Sequence, residues 1–181
     1  MTRFVVTLAA GAVVALGAPA QARVVQDGTK PAVAFTAKGT GGLTIVGTTS
    51  ELSIRDDGKT LFITVPLGRL TTGLALRDRH LREKYLHVGQ YPNAELSVDR
   101  ALLKPPVSGA VSAEAKGTLK IHGKTKALSV RYSAKKNGAA IQVMGSLRLD
   151  IRDFGIEVPS FLGVTVKPEV DIAVTFSAKD S

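Results

Sequence analysis

The side chains best suited to bind an ionic ligand are four basic residues that follow one another closely near a predicted helix start. They are Arg77, Arg79, His80 and Arg82. Cations and helix N-terminal amides together bind phosphate groups, so this cluster is a candidate site for a phosphate-bearing headgroup. The segment also allows a structural role, in which Asp78 caps the helix and Arg77 or His80 fixes it to the rest of the fold. The sequence leaves both interpretations open.

Side chains for catalysis or metal binding are scarce. The three histidines are His80, His87 and His122, and the sequence gives poor support for a metal site among them. The chain contains no cysteine and no Gly-x-Ser-x-Gly nucleophile motif. We therefore expect no catalytic residue, no metal and no cofactor.

The basic cluster belongs to the one segment with a helical pattern, which we predict as a helix from Asp78 to His87. Leu81 and Tyr85 are four residues apart, so they share one helix face while their charged neighbours face water. The sequence on both sides of this helix alternates like strand. A single helix inserted among strands must rest on apolar surface, so we predict that it forms a lid at one end of a sheet or barrel.

About eight strands are predicted in the rest of the chain, and several are joined by tight turns such as Asn137-Gly138. In residues 147–152 every second residue is charged, and the others are leucine or isoleucine. Consecutive antiparallel strands of this kind form a sandwich or a barrel. The apolar side of each strand is predicted to face inward, because charged residues such as Arg148 would be costly on a lipid-facing wall.

The inward-facing positions predict the lining of an apolar interior. The candidates are Ile63, Val65, Leu96, Val98, Leu119, Ile121, Leu128, Val130, Leu147, Leu149, Ile151, Val170, Ile172 and Val174. They are aliphatic, which suits a flexible hydrocarbon better than a planar ring. Burial of apolar surface contributes about 25 cal/mol per Å², so a long chain would bind with few polar contacts. An eight-stranded barrel has room either for one small ligand or for side chains alone, so a filled core is the alternative.

The first 22 residues have the pattern of a cleaved signal peptide. Arg3 provides a positive start, Phe4 to Leu16 is apolar, and Ala20-Gln21-Ala22 supplies the small residues that signal peptidase needs. The apolar run is too short for a membrane span, which needs about 18 residues. We expect cleavage after Ala22, a single domain over residues 23–181, and a periplasmic or secreted protein.

The chain is basic, with 24 Lys and Arg against 15 Asp and Glu and a net charge of +9. A basic surface favours anionic partners, but export argues against nucleic acid. Lys120, Lys124 and Lys126 lie on a predicted hairpin. They either form a patch for transient contact with a membrane surface or are a solvated turn. The sequence does not indicate which oligomeric state the protein has.

Several motifs resemble the YceI-like family in order and spacing. Thr72-Gly73, Arg77-Asp78-Arg79-His80-Leu81 and Tyr91-Pro92 follow one another as in the family's signature. Residues 117–126 resemble its hairpin motif, residues 152–156 its Asp-Phe-Gly turn, and residues 164–176 its closing strand. The resemblance covers residues 33–178. It implies a lipocalin-like antiparallel β-barrel whose lumen holds a polyisoprenoid or similar lipid.

We therefore expect an all-β fold, an eight-stranded antiparallel barrel with one short helix inserted near one end. We expect it to be an exported carrier of a polyisoprenoid, a fatty-acid-like molecule or another amphiphilic lipid, without chemical turnover. The predicted mouth and lid residues are Arg77, His80, Leu81, Tyr85, Phe154, Phe161 and Leu162. Two alternatives are an enzyme acting on a hydrophobic substrate in the same cavity and a basic interaction module with a filled core.

Overall fold

The computed structural model describes residues 23–107, 109–161 and 163–180. The predicted signal peptide and Leu162 lie outside the described residues. Within them, eleven antiparallel strands form a curled sheet, a half-barrel, with one short helix. The strands are β1 (Val24–Gln26), β2 (Ala32–Gly39), β3 (Thr44–Thr49), β4 (Ser53–Asp56), β5 (Thr60–Pro66), β6 (Asn93–Asp99), β7 (Ala110–Ile121), β8 (Lys124–Asn137), β9 (Ala140–Asp150), β10 (Ser160–Phe161) and β11 (Val164–Asp180).

The sheet follows the order β3-β2-β11-β9-β8-β7-β6-β5-β4, and β1 and β10 each pair with β11. The predicted all-β, antiparallel fold with one inserted helix is confirmed. The predicted number of eight strands is too low. Part of the reason is that β1 and β10 have only three and two residues, too few for an alternating pattern to appear in the sequence.

A seam lies between β3 and β4, the two ends of the sheet. Within the described part of the chain no ladder joins them, although they follow one another in sequence. Thr48 in β3 instead exchanges two backbone hydrogen bonds, of 2.8 and 3.0 Å, with Thr71 in the segment that leads to the helix. Leu52 and Ile54 close the seam from inside by packing near Val33. The half-barrel is therefore completed by side chains rather than by a strand ladder.

The long strands carry the predicted alternation. In β7, Ala115, Gly117 and Leu119 are buried while the residues between them are exposed. The β7–β8 hairpin turns through His122 and Gly123, which have φ of 51° and 73°. Two consecutive left-handed residues match the right-handed twist of the flanking strands, so this tight turn fixes their register.

Proline marks an irregularity in the longest strand. Between the pairs Val166–Gly39 and Val170–Ala37, β11 has two more residues than β2. Pro168 lies in this bulge, where its missing N–H costs no ladder bond.

The helical excursion between β5 and β6 consists of α1 (Ala75–His80) and a π-helical turn (Leu81–Tyr85). The helix thus begins before the predicted start at Asp78, and Leu74 rather than Asp78 is its N-cap. The prediction that Asp78 caps the helix is wrong. Leu86 N donates to Leu81 O (2.9 Å), an i to i+5 bond that widens the second half. No helix among the described residues is long and apolar enough to cross a membrane.

Candidate functional site

A cavity of about 870 Å³ occupies the inside of the half-barrel and extends along the strands. This volume is typical of small-molecule sites. Thirteen of the fourteen predicted interior residues lie on its wall, namely Ile63, Val65, Leu96, Val98, Leu119, Ile121, Val130, Leu147, Leu149, Ile151, Val170, Ile172 and Val174. Leu128 is partly buried against the neighbouring core and is not on the wall. That these residues contact a ligand stays a prediction.

Sequence reasoning missed several wall residues. Phe35 and Ala37 in β2, and Tyr132 and Ala134 in β8, also line the cavity. Each pair has the spacing of two residues that places side chains on one face of a strand. Phe35 lies opposite Gly47 in β3, and a Cβ at Gly47 would come within 2.1 Å of its ring. Only glycine allows this aromatic ring to lie flat against the neighbouring strand.

The helix end of the cavity is sealed by apolar packing. Leu81 and Tyr85, predicted as lid residues, line the cavity there. Behind and around them is a buried group that we call the plug, made of Leu67, Leu70, Leu86, Phe154, Ile156 and Val166. The plug brings together segments that follow β5, the helix and β9, so it depends on contacts between residues far apart in sequence.

Phe154 is placed differently from the predicted mouth. It lies in a 3₁₀ turn (Ile151–Phe154), is only 2% exposed, and belongs to the plug rather than to the cavity wall. Gly155, with φ of 69°, reverses the chain immediately after it so that Ile156 can also turn inward. Phe161 lies in β10, and its side chain, like Leu162, is outside the described residues.

A buried carboxylate fixes the segment before the helix. Asp78 accepts hydrogen bonds from Thr71 Oγ1 (2.6 Å), Thr72 N (2.6 Å) and Thr72 Oγ1 (2.5 Å). Burial alone would raise the pKa of Asp78, but these hydrogen bonds, together with the charge of Arg82, lower it below the ordinary aspartate value. The carboxylate therefore stays ionised and holds the loop to the helix.

Arg77 and Arg82, two of the four basic residues of the predicted headgroup cluster, also bind the segment before the helix. Arg77 donates from Nε to Thr72 Oγ1 and from Nη2 to Thr72 O, both at 2.8 Å. Arg82 donates from Nη1 to Leu70 O at 3.3 Å. Arg79 and His80 are exposed and are not on the cavity wall. The geometry favours the structural interpretation for Arg77 and Arg82.

A pair of histidines joins the helical excursion to the plug. His122 Nδ1 lies 3.1 Å from Phe154 O, and His122 Nε2 lies 3.0 Å from His87 Nδ1. A carbonyl only accepts, so His122 Nδ1 carries a hydrogen, and of the two facing nitrogens His122 Nε2 and His87 Nδ1 one donates to the other. The edge of Tyr91 packs on the His122 ring at 4.9 Å. Among the described residues, no three His, Cys, Asp or Glu side chains converge as a metal site.

The end of the cavity opposite the helix is lined by charged as well as apolar residues, and we call it the mouth. It is formed by Gly58, Lys59, Asp99, Arg100, Ala101, Leu103, Lys104, Pro105 and Pro106, with Tyr132 beneath them. Sequence reasoning missed the mouth, because its lysines look like the many other surface lysines. The Lys104-Pro105-Pro106 run after three apolar or small residues is the signal that could have drawn attention to it.

An ion pair braces the mouth. Arg100 Nη1 lies 2.8 Å from Asp56 Oδ2, and the Asp56 side chain is fully buried. Asp56 also accepts from Val24 N and Gly58 N, both at 2.8 Å. One carboxylate thus ties β1, β4 and the segment after β6 together around the opening.

The mouth segment is also held from below. Lys104 N donates to Tyr132 Oη (2.6 Å), and Ala101 N donates to Asp99 Oδ1 (2.9 Å). Both bonds use the backbone of the segment, so the ammonium group of Lys104 is not needed to keep it in place. The lysine side chain is exposed beside the cavity.

The fold and its site define a class of protein, an antiparallel half-barrel that encloses an aliphatic cavity with one sealed end and one charged end. Residues 24–178 match the YceI-like domain, so the chain belongs to the YceI-like family. No curated protein matches the chain.

Several solved structures share the fold. A polyisoprenoid-binding domain from Saccharophagus degradans superposes with a TM-score of 0.75 at 14% identity and covers 89% of this chain and 100% of that one. BcnA of Burkholderia cenocepacia gives 0.66 at 19% identity, over 82% and 96% of the two chains. The Campylobacter jejuni YceI protein gives 0.59 at 16% identity, over 75% and 84%. At these identities the likeness establishes the common fold.

Proposed function

We propose that the protein is an exported carrier that holds one long-chain amphiphile, a polyisoprenoid or fatty-acid-like lipid, in the cavity without chemical turnover. The observation that carries this proposal is the cavity of about 870 Å³, whose wall is predominantly aliphatic. Such a cavity is costly to leave filled with water and has few groups that would hold water by hydrogen bonds. Its volume also disfavours the alternative of a filled core.

The wall suits a flexible hydrocarbon chain, because the affinity of such a ligand comes from the length of its chain rather than from directional contacts. Each methylene group moved from water into an apolar site contributes about 0.8 kcal/mol. The Saccharophagus relative is a polyisoprenoid-binding domain, which supports a lipid as the ligand class. The polar groups of the wall are concentrated at the mouth, far from most of the cavity.

Gly145 provides a direct test. It lies on the cavity wall in the middle of β9, and a Cβ added there would meet no atom within 4 Å. Gly145→Trp should therefore fill the cavity without clashing with a neighbouring strand. Met144→Trp is the matched control, because Met144 is the preceding residue of the same strand and faces outward, 56% exposed.

The experiment is native mass spectrometry of the protein purified from its own host, followed by rebinding of the extracted lipid to delipidated protein. We expect a co-purified lipid, and we expect Gly145→Trp to weaken rebinding at least about tenfold, or 1.4 kcal/mol, while Met144→Trp leaves it unchanged. Equal binding by both variants would overturn the proposal. Conversion of the lipid to a product would favour the enzyme hypothesis over the carrier hypothesis.

Export is part of the same proposal and rests on the signal-peptide pattern of residues 1–22. N-terminal sequencing of protein from fractionated host cells should begin at Arg23. A mature chain that retains Met1 in the cytoplasmic fraction would contradict it. Transient contact with a membrane surface also stays a prediction, for which Lys120, Lys124 and Lys126 are all exposed on the β7–β8 hairpin.

A further inference from the structure

We infer that the bound amphiphile has one orientation, with an anionic headgroup at the mouth between Lys59 and Lys104 and its chain end against Leu81 and Tyr85. The headgroup class is a carboxylate or a phosphate. This inference rests on the proposed carrier function. It adds a binding subsite, a preferred charge for the ligand and the end at which the ligand enters.

The first argument is the distribution of polar groups along the cavity. At the helix end the wall is formed by aliphatic residues of the plug, and the Tyr85 hydroxyl is the one polar side-chain group on that part of the described wall. At the mouth the wall includes Lys59, Asp99, Arg100, Lys104 and Tyr132. A charged headgroup buried among aliphatic side chains without partners would lose several kcal/mol of hydration free energy. The polar end of the ligand is therefore stable only at the mouth.

The second argument is the state of the cations at the mouth. Arg100 is engaged with the buried carboxylate of Asp56 at 2.8 Å and acts as a brace. Lys59 and Lys104 are exposed, and within the described residues neither is in a salt bridge. One Asp99 oxygen accepts from Ala101 N. The mouth is thus lined by two lysines outside these salt bridges and by one carboxylate that is already hydrogen bonded, a balance that favours an anionic headgroup.

The third argument concerns how the two lysines are placed on either side of the opening. Arg100 N donates to Lys59 O at 2.8 Å, which fixes the turn between β4 and β5 to the segment after β6. The Tyr132 hydroxyl fixes the backbone of Lys104 to β8. The backbone of both lysines is therefore anchored beside the same opening, and their two ammonium groups are the partners that we assign to one headgroup.

The rival position for the headgroup is the basic cluster at the helix. Arg77 and Arg82 are hydrogen bonded to the loop that precedes the helix, and Arg79 and His80 lie outside the cavity wall. Of the helical excursion, Leu81, Tyr85 and the plug residue Leu86 line the cavity, whereas these four basic residues do not. A headgroup bound there could keep its chain in the cavity only by displacing the plug. The mouth is also where the ligand enters, since the other end is sealed.

Spin-labelled stearic acid tests the orientation directly. The fatty acid carries a nitroxide either at carbon 5, near the carboxylate, or at carbon 16, near the chain end, and is bound to delipidated 15N-labelled protein. We expect the carbon-5 label to broaden the amide signals of Ala101 and Lys104, and the carbon-16 label to broaden those of Leu81 and Leu86. The reverse pattern, or equal broadening of both ends by each label, would overturn the orientation while leaving the carrier function intact. Broadening at neither end would overturn the carrier function, and the orientation with it.

Charge reversal tests the headgroup subsite. Lys59→Glu/Lys104→Glu should weaken stearate binding about tenfold and change the binding of stearyl alcohol, the neutral analogue, less than about twofold. Lys116→Glu/Lys167→Glu, at two exposed lysines that do not line the cavity, is the control with the same change of net charge and should affect neither probe. Arg79→Glu tests the rival site. Weaker stearate binding in Arg79→Glu, with unchanged binding in the Lys59/Lys104 variant, would overturn the proposal.

Discussion

The two ends of the cavity are built from the same sheet but by different means. The helix end is closed by an apolar plug, an ionised Asp78 that binds the preceding loop, and a histidine pair that joins the excursion to Phe154. The mouth is held by the Asp56–Arg100 ion pair and is lined by exposed lysines. Apolar packing excludes water and seals, whereas a braced set of charges keeps an opening that polar groups can occupy. The two ends of the cavity therefore differ in polarity.

The plug should be the most costly place to remove side-chain volume. Phe154→Ala should lower the free energy of unfolding by about 3–5 kcal/mol, because it leaves a void among residues that cannot fully collapse. Phe62→Ala is a suitable control, since Phe62 is a partly exposed aromatic that packs beneath Arg55 at 3.8 Å. Chemical denaturation measures both variants. Equal losses of unfolding free energy would show that Phe154 is packed no more tightly than Phe62.

Loss of the Asp56–Arg100 ion pair at the mouth should have the next largest effect on the free energy of unfolding. Asp56→Asn removes the charge that Arg100 pairs with, and breaking a largely buried pair of this kind costs about 3 kcal/mol. Asp57→Asn, at the adjacent exposed carboxylate, should destabilise the protein less. The comparison uses denaturant midpoints at constant slope. A larger effect at Asp57 would contradict the assignment of Asp56 as the residue that holds the mouth.

The helix end should also respond to pH through Asp78. The hydrogen bonds and the charge of Arg82 lower the folded pKa of Asp78 against the effect of burial. Its stabilising contribution is therefore complete above the unfolded aspartate pKa of about 3.9 and is lost as pH falls through the lower folded pKa. Free energies of unfolding of the wild type and Asp78→Asn, measured from pH 6 to pH 2, should converge toward the acid end. A constant difference over this range would show that ionisation of Asp78 does not matter.

The histidine link should have the smallest effect. A double-mutant cycle with His87→Ala and His122→Ala should give a coupling energy of about 1 kcal/mol, as expected for one hydrogen bond between side chains. His80→Ala combined with His122→Ala should give no coupling, because His80 lies on the exposed side of the helix. A coupling of zero in the first cycle would show that the two histidines do not stabilise the helix end through this contact.

The alternating pattern of the long strands was sufficient to predict the antiparallel fold and nearly all of the aliphatic wall. It succeeds there because two-residue periodicity is a local property that burial on one face enforces. It fails for β1 and β10, which are too short to alternate. The seam between β3 and β4 was also beyond prediction, because the partner that Thr48 takes instead is Thr71, in a segment with no strand pattern.

The two ends of the cavity were harder to predict for a physical reason. The loop position of Phe154 suggested a mouth residue, but packing with leucines from distant segments buries it. Asp56 and Arg100 are 44 residues apart, and nothing local in the sequence marks them as partners. The π-helical turn also depends on packing beneath Leu81 and Tyr85, since propensity alone favours a regular helix.

The seam between β3 and β4 has a consequence for the circumference of the half-barrel. A sheet closed by hydrogen bonds all the way around has a fixed circumference, and widening it breaks ladder bonds. Here the circumference is completed by side chains, among them Leu52 and Ile54, which pack in one apolar cluster with Val33. Widening the half-barrel along this line would therefore part side-chain contacts and leave the strand ladders intact.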